Sequence, residues 1–256
     1  MNVAYSIKDR IGYITLTRPE KRNALNFEVV QQLKDLFHEA ERDDAVKVVV
    51  LRAEGDAFCA GADLGYLQSL QKNSYAENLE DSNHLKELFL QIYTLKKVVI
   101  AQIQGHALAG GCGLATVCDF AITVPEAKFG YTEVRIGFIP AIVMVFLLRK
   151  IGEGKAKQLL LGGELITAQD AINMGLINKV VAKEKLEDEV YQLASSLIEN
   201  NSAQSMMTTK KMIAEVQSMS LDEALTFAAK SNALARESDD CKKGIASFLN
   251  KEKFKW

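Results

Sequence analysis

Two turns built from small residues are the places where this chain could do chemistry with its backbone alone. In Ile100–Asp119 (IAQIQGHALAGGCGLATVCD), the apolar run from Val98 to Gln104 ends at Gly105. A small-residue turn then leads into the apolar segment Cys112–Cys118. The pattern predicts strand, loop and the start of a buried helix near Gly110–Gly111. The first N–H groups of a helix have no intrahelical partner and lie at the positive end of its dipole. Small residues let another molecule's carbonyl oxygen come close, which makes an anion or oxyanion site from main chain. Upstream, Glu54–Leu64 (EGDAFCAGADL) repeats strand, small turn and helix. Two such turns can present two amides to one oxygen.

The side chains are less explicit. Taken alone, Glu133 reads as a surface carboxylate. Cys112 beside the turn suggests a nucleophile, but no histidine stands at a recognisable spacing, and a buried thiol is the plainer reading. Asp119 and Asp63 lie at segment ends, where capping and turn bonding are the common roles. The four cysteines (Cys59, Cys112, Cys118, Cys241) contain no CxxC, and His38, His84 and His106 make no HExxH, so no metal site is expected. Gly105, Gly110, Gly111 and Gly113 do not satisfy GxGxxG. Gly152–Ala156 lacks the glycine spacing and the Ser/Thr of a P-loop.

Elements that would position these turns follow from periodicity. Val3–Ile7 and Ile11–Thr17 predict a hairpin, and Asn26 is placed to cap an amphipathic helix over Phe27–Arg42. Val46–Leu51 predicts a buried strand. Strand, helix and strand again point to an α/β fold with mainly parallel pairing. Residues 65–97 are polar and weakly periodic, suiting a helix with a mobile lead-in over a cleft. Phe120–Thr123 and Asn178–Val181 are further strands. Val143–Ile151, Lys155–Leu161 and Ala168–Met174 are short helices stopped by Gly152, Gly162–Gly163 and Gly175. From Lys185 the pattern is helical: Leu186–Glu199, Ala203–Val216, Leu221–Ala235 and Cys241–Leu249.

The 256 residues are 48% hydrophobic and 25% charged with three prolines, globular values that leave little room for linkers. A formal net charge of −2 without a basic block gives nucleic-acid binding no electrostatic support. No run approaches the roughly 18 apolar residues of a membrane helix. The N-terminal MNVAYSIKDR alternates like a strand and lacks a signal-peptide core, so a cytoplasmic location is expected.

Four stretches together, FCAGADL (58–64), GHALAGGCGLATVCDFAI (105–122), FGYTEVRIGFIP (129–140) and GELITAQDAINMGLINKVV (163–181), resemble the crotonase, or enoyl-CoA hydratase/isomerase, superfamily. The resemblance spans essentially the whole chain. It implies a spiral of ββα units over residues 1–190 that binds acyl-CoA. A helical C-terminal region, 191–256, would build homotrimers, often paired as hexamers. It implies further that the N–H groups of Ala62 and Gly110 hold the thioester carbonyl, and that Glu133 is the general acid/base. Coenzyme A would be part of the substrate, with no separate cofactor.

By the same resemblance, Lys21, Arg22 and Ala24 of the early loop meet the CoA nucleotide, with main chain at Ala60, Gly61, Asp63 and Leu64. Gly111 and Gly113 fall in the glycine turn, and Tyr131 and Phe138 either line the acyl pocket or pack in the core. Phe248 and Lys251 match an aromatic–basic pair that reaches a neighbouring subunit's CoA. The best-known hydratases of this superfamily carry a second glutamate where this chain has Gly113. Gly113 either permits close packing or opens space for a water, an anion or a substrate group. GGxGL followed by EVRIG and Pro140–Ala141 also resembles bacterial 3-methylglutaconyl-CoA hydratases of leucine breakdown, whose substrate's own carboxylate would fit such a space. The rival readings are a Δ3,Δ2-enoyl-CoA isomerase, for which one glutamate suffices, and a non-catalytic CoA- or RNA-binding scaffold.

Overall fold

In the computed structural model of the chain, which describes residues 2–252 and 254–256, β1 (Val3–Lys8) and β2 (Ile11–Leu16) form the expected antiparallel hairpin. Asp9 and Arg10 close it, both at positive φ, as a tight two-residue hairpin turn demands. The first helix, α1, runs Phe27–Arg42 and begins where the Asn26 side chain accepts the Val29 N–H at 2.9 Å. Its Val29, Val30, Leu33, Phe37 and Ala40 are buried against the sheet.

The large sheet continues with β3 (Val48–Ala53), β5 (Val98–Ile103), β7 (Phe120–Thr123) and β10 (Lys179–Val180), in the order β1-β2-β3-β5-β7-β10. Every pairing after the first hairpin is parallel. A second sheet, order β4-β6-β8-β9, is made of β4 (Ala57–Cys59), β6 (His106–Leu108), β8 (Lys128–Gly130) and β9 (Ile166–Thr167). The chain therefore alternates: β3 feeds β4, β5 feeds β6 and β7 feeds β8, each pair advancing one place in both sheets. That advance is the crotonase spiral. The short strands are two or three residues long, below the length at which period-two patterning is readable, and only the long sheet was expected.

Helices close the turns of the spiral. After β4 come α2 (Leu64–Leu70), capped by Asp63, and α3 (Tyr75–Thr94), opened by a capping box of Ser74 and Glu77. The Tyr66 hydroxyl bonds Asp81, so the two helices are joined across the region expected to be a mobile lead-in. After β6 comes α4 (Gly110–Val117), whose residues from Gly111 to Val117 are all buried. The next helix, α5 (Ala141–Gly162), is broken at Gly152, where φ is 76°; α6 spans Ala168–Met174. Four further helices follow: α7 (Leu186–Asn200), α8 (Ala203–Val216), α9 (Leu221–Glu237) and α10 (Asp239–Leu249). In α7, Leu186, Val190, Ala194 and Ile198 are buried in the same core as the sheet.

Buried helix ends need donors for their last carbonyls, and lysines supply them. Lys150 of α5 donates to the carbonyls of Thr116 and Cys118 at 3.0 Å each, finishing α4. Lys47 bonds the Ile198 and Asn201 carbonyls at the end of α7. Lys210 of α8 reaches the carbonyl of Ile92 in the last turn of α3 and that of Lys97 beyond it, and pairs with Asp119 at 2.7 Å. Burial lowers the pKa of Lys47 and Lys150. Among the described residues no helix is long and apolar enough to cross a membrane.

Candidate active site

The two small-residue turns lie against each other. Leu25 forms a parallel bridge with Ala62, its N–H donating to the Gly61 carbonyl at 2.7 Å and its carbonyl accepting from Asp63 at 2.8 Å. Such a bridge uses the peptide groups on either side of Ala62, so Ala62's own N–H faces away from it. Gly61 has φ +89°, and a methyl there would come within 3.4 Å of the Gly110 nitrogen and 3.0 Å of the Leu108 carbonyl oxygen. The Cα of Gly111 rests directly on the Cys59 carbonyl, leaving no room for a Cβ. Gly111 is thus the contact that lets the turns approach. Among the described residues, no backbone carbonyl accepts the N–H of Ala62 or of Gly110.

Between them stands a strained residue. Ala109 precedes α4 at φ 49°, ψ −124°, a region that side chains other than glycine's rarely adopt, and it offers no side-chain cap. Its N–H donates to the Gly130 carbonyl at 2.8 Å and its carbonyl accepts from Gly113 at 3.0 Å. Strain of this kind costs of order 1–3 kcal/mol and gathers at functional sites. It turns the first peptide of α4 so that the Gly110 amide meets the Ala62 turn.

Glu133 arrives from β8. Gly130 and Tyr131 lead into a 3-10 turn, Glu133–Ile136, closed by Gly137 at φ 75° and by the Phe138 N–H on the Glu133 carbonyl at 3.0 Å. Burial raises the Glu133 pKa, with its own backbone N–H opposing. Its Oε2 is buried and has no hydrogen-bond partner among the described residues. The 2.8 Å bond from the Ala109 N–H to the Gly130 carbonyl ties the strand end, three residues before Glu133, to the residue that precedes α4. A buried carboxylate oxygen with an unfilled lone pair can take a proton from a carbon or water whose electrons move onto an amide-held oxygen.

The other candidates separate. Asp63 is occupied: it accepts the Gly65 and Tyr66 N–H groups and pairs with Arg18 at 2.9 Å. Burial works against its charge, but these bonds hold its carboxyl below the usual range. Leu64 beside it is 76% exposed. Lys21 and Arg22 are exposed on the loop 18–25, while Ala24 is buried in it. Ala60 donates to the Arg22 carbonyl at 3.0 Å, so that loop borders the first turn. Phe138 is 55% and Phe248 84% exposed; Phe248, on α10, and Lys251 belong to the far C-terminal end.

At two positions with a packing reading and a substrate reading, the structure favours packing. Tyr131 is fully buried, its hydroxyl 2.8 Å from Thr116 Oγ1, and so belongs to the core and not to an open acyl pocket. Gly113 opens no space: the position of its Cβ is filled by Val143 Cγ1 and by the Phe89 ring, 3.1 Å away. Cys112 is likewise inert, burial pushing its thiol up to about 12. Asp119 accepts the Val99 N–H and pairs with Lys210, a structural role.

Three contributors escaped the sequence reading. Asn23 is buried and donates to the carbonyls of Glu54 and Ala57 at 2.8 Å each, pinning the early loop to β4. Nothing in the residue type of Ala109 announces its positive φ. Thr116 carried a signal, since it is the one hydroxyl in the apolar α4 segment.

Comparisons with known proteins place the whole chain. The pattern of the enoyl-CoA hydratase/isomerase family matches residues 6–256. A Thermus thermophilus relative is 39% identical over 244 residues, 95% of this chain and 96% of its own. The crotonyl-CoA hydratase of Syntrophomonas wolfei is 34% identical over 254 residues, 98% of this chain and 96% of its own. The crystal structure of an enoyl-CoA hydratase from Mycobacterium smegmatis superposes with a TM-score of 0.94 at 28% identity, covering 100% of this chain and 99% of that one. With its paired turns, its spiral of strands and these relatives over nearly its whole length, the chain belongs to the enoyl-CoA hydratase/isomerase family.

Proposed function

We propose that the chain hydrates an α,β-unsaturated acyl-CoA thioester using two backbone amides and one glutamate. The observation that carries this is the buried, unpartnered Oε2 of Glu133, three residues beyond the Gly130 carbonyl that ties its segment to the start of α4. In this reading the N–H groups of Ala62 and Gly110 bind the thioester oxygen. Glu133 takes a proton from water as the water oxygen bonds to Cβ, and the π electrons pass through Cα onto that oxygen. Glu133 then returns a proton to Cα as the carbonyl re-forms, so one residue serves as base and acid. Loss of one amide donor would cost about 3 kcal/mol in the transition state.

Within α,β-unsaturated thioesters, the GGxGL and EVRIG motifs favour 3-methylglutaconyl-CoA as the finer assignment. Its carboxylate would have to lie elsewhere than beside Gly113, where Val143 and Phe89 stand. The same packing favours a second reading. With no second carboxylate at that position, a Δ3,Δ2-isomerase would need only Glu133, taking a proton at C2 and returning it at C4.

The deciding experiment incubates wild type and Glu133→Gln with crotonyl-, 3-methylglutaconyl- and 3-hexenoyl-CoA and identifies products by mass and NMR. Glu133-dependent gain of one water supports the hydratase. Conversion of the 3-enoyl to the 2-enoyl thioester at constant mass supports the isomerase. Binding without turnover of any of them supports the scaffold.

For assembly we infer a homotrimer, or a hexamer of two such trimers, built through the C-terminal helices. No residue of α9 is buried, and Leu221, Leu225 and Leu234 on it, with Phe248 and Leu249 on α10, are all more than 60% exposed. Apolar side chains in that number call for a covering surface, and sedimentation would give the stoichiometry.

A further inference from the structure

The buried polar side chains under the active-site turn have no part in the chemistry just described, yet they join its two halves. Tyr131 stands two residues before Glu133 and is fully buried. Thr116 lies in α4, six residues after Gly110. The Thr116 hydroxyl donates its only hydrogen to the Cys112 carbonyl at 2.8 Å. The 2.8 Å contact between Thr116 Oγ1 and Tyr131 Oη therefore has the tyrosine as donor. A second tie runs in parallel through main chain, from the Ala109 N–H to the Gly130 carbonyl. At the other end of α4, Lys150 holds the carbonyls of Thr116 and Cys118, so the helix cannot slide.

We propose that Thr116 and Tyr131 form a clasp that sets the position of Glu133 relative to the Gly110 amide, and are positioning residues for proton transfer. The argument is one of register. Apolar side chains of the same shape would fill the volume but accept small shifts between α4 and the segment 130–133. A hydroxyl pair with fixed donors and acceptors, surrounded by core, has one satisfied arrangement. Glu133 is two residues from the clasp and the Gly110 amide one residue from the Ala109 tie, so the spacing between base and oxyanion donor is set over a few bonds. Proton transfer is sensitive to such spacing: a displacement of about 1 Å can cost 100-fold.

The inference rests on the assignment of Glu133 and the amides to catalysis, and its test separates the two. Exchange of the Cα proton of butyryl-CoA in deuterium oxide needs an oxyanion site and a base, but neither hydration nor isomerisation. We expect Tyr131→Phe and Thr116→Val each to slow this exchange roughly 10- to 100-fold, with KM for the thioester within about twofold of wild type. The double variant should be no slower than the slower single variant, since all three lose the same Thr116–Tyr131 hydrogen bond. Thr116→Ser, which keeps the hydroxyl, should restore most of the rate. If Tyr131→Phe does not fold, the isosteric Thr116→Val and its serine rescue carry the same test. Wild-type exchange in Thr116→Val, multiplying losses in the double variant, or no rescue by serine would overturn the clasp. A wild type that exchanges but does not hydrate crotonyl-CoA would overturn the hydratase reading alone. One that does not exchange at all would overturn both.

Discussion

Val143 of α5 occupies the space that a side chain on Gly113 of α4 would need, with the Phe89 ring closing the same position from α3. This decides between two ways of reading that glycine, as a packing contact between three helices or as an opening in the site. Alanine at 113 would gain up to about 1 kcal/mol of helix propensity. Overpacking a tight core costs about 1–3 kcal/mol, and the core wins because both neighbours are themselves buried. Gly113→Ala should therefore lower the urea midpoint, and Val143→Ala in the same chain should recover part of the loss. Additive losses in the double variant would show that the two positions do not share the space.

Ala109 leads to a prediction of opposite sign. Its φ of 49° with ψ −124° suits glycine, and relief of such strain is worth about 1–3 kcal/mol. Glycine would give back roughly 0.5–1 kcal/mol through the greater freedom of the unfolded chain. Ala109→Gly should then raise the melting temperature slightly. The Gly110 amide would be held less firmly, so turnover should fall while substrate KM changes little.

Glu133 should govern both activity and stability as pH changes. Burial raises its pKa, so the native state holds the proton after the unfolded chain has lost it. Below the ordinary carboxylate range both states are protonated and the group contributes no difference. As pH climbs through the ordinary value and then the raised one, native stability falls relative to a chain without the carboxylate. Glu133→Gln should accordingly be more stable than wild type at neutral pH, by the order of 1 kcal/mol common where a functional group is removed from an active site. That advantage should disappear in acid. The base form is needed for catalysis, so wild-type kcat/KM should rise with pH through the raised value. The variant should lose about 100- to 10,000-fold.

What could be read from the chain beforehand follows the length of the signal. Long periodic elements were legible to the residue or nearly so: Phe27–Arg42 with Asn26 as cap, and Ala203–Val216. The break at Gly152 and the stops at Gly163 and Gly175 were legible because each is a glycine at positive φ. The second sheet was not, since strands such as Lys128–Gly130 and Ile166–Thr167 take their shape from partners far along the chain. At the site, the two turns and Glu133 could be found from small-residue patterning and resemblance. The packing of Gly113 and the burial of Tyr131 could not, because which helix covers a glycine, or a tyrosine, is a tertiary fact.

Asp119 and Lys210 make the last case, one in which a carboxylate near the site serves the fold. Asp119 is the first residue after α4 and its C-cap, and it accepts from the Val99 N–H and from Lys210 at 2.7 Å each. Burial raises its pKa even with Lys210 and Lys150 opposing. Breaking one partner of a buried pair costs about 3–5 kcal/mol, because the remaining charge is left without compensation. Lys210→Met should show a loss of that size by urea unfolding, greater than expected from its methylenes alone. Without the ammonium, the Asp119 pKa should rise further, so native Asp119 would hold its proton to higher pH. The deficit of Lys210→Met should then shrink as pH is lowered through that range, where the neutral acid is accommodated. Adding Asp119→Asn should recover part of the stability at neutral pH and remove most of the pH dependence. A deficit that is flat with pH would mean that Lys210 matters for the carbonyls of Ile92 and Lys97 and not for the carboxylate.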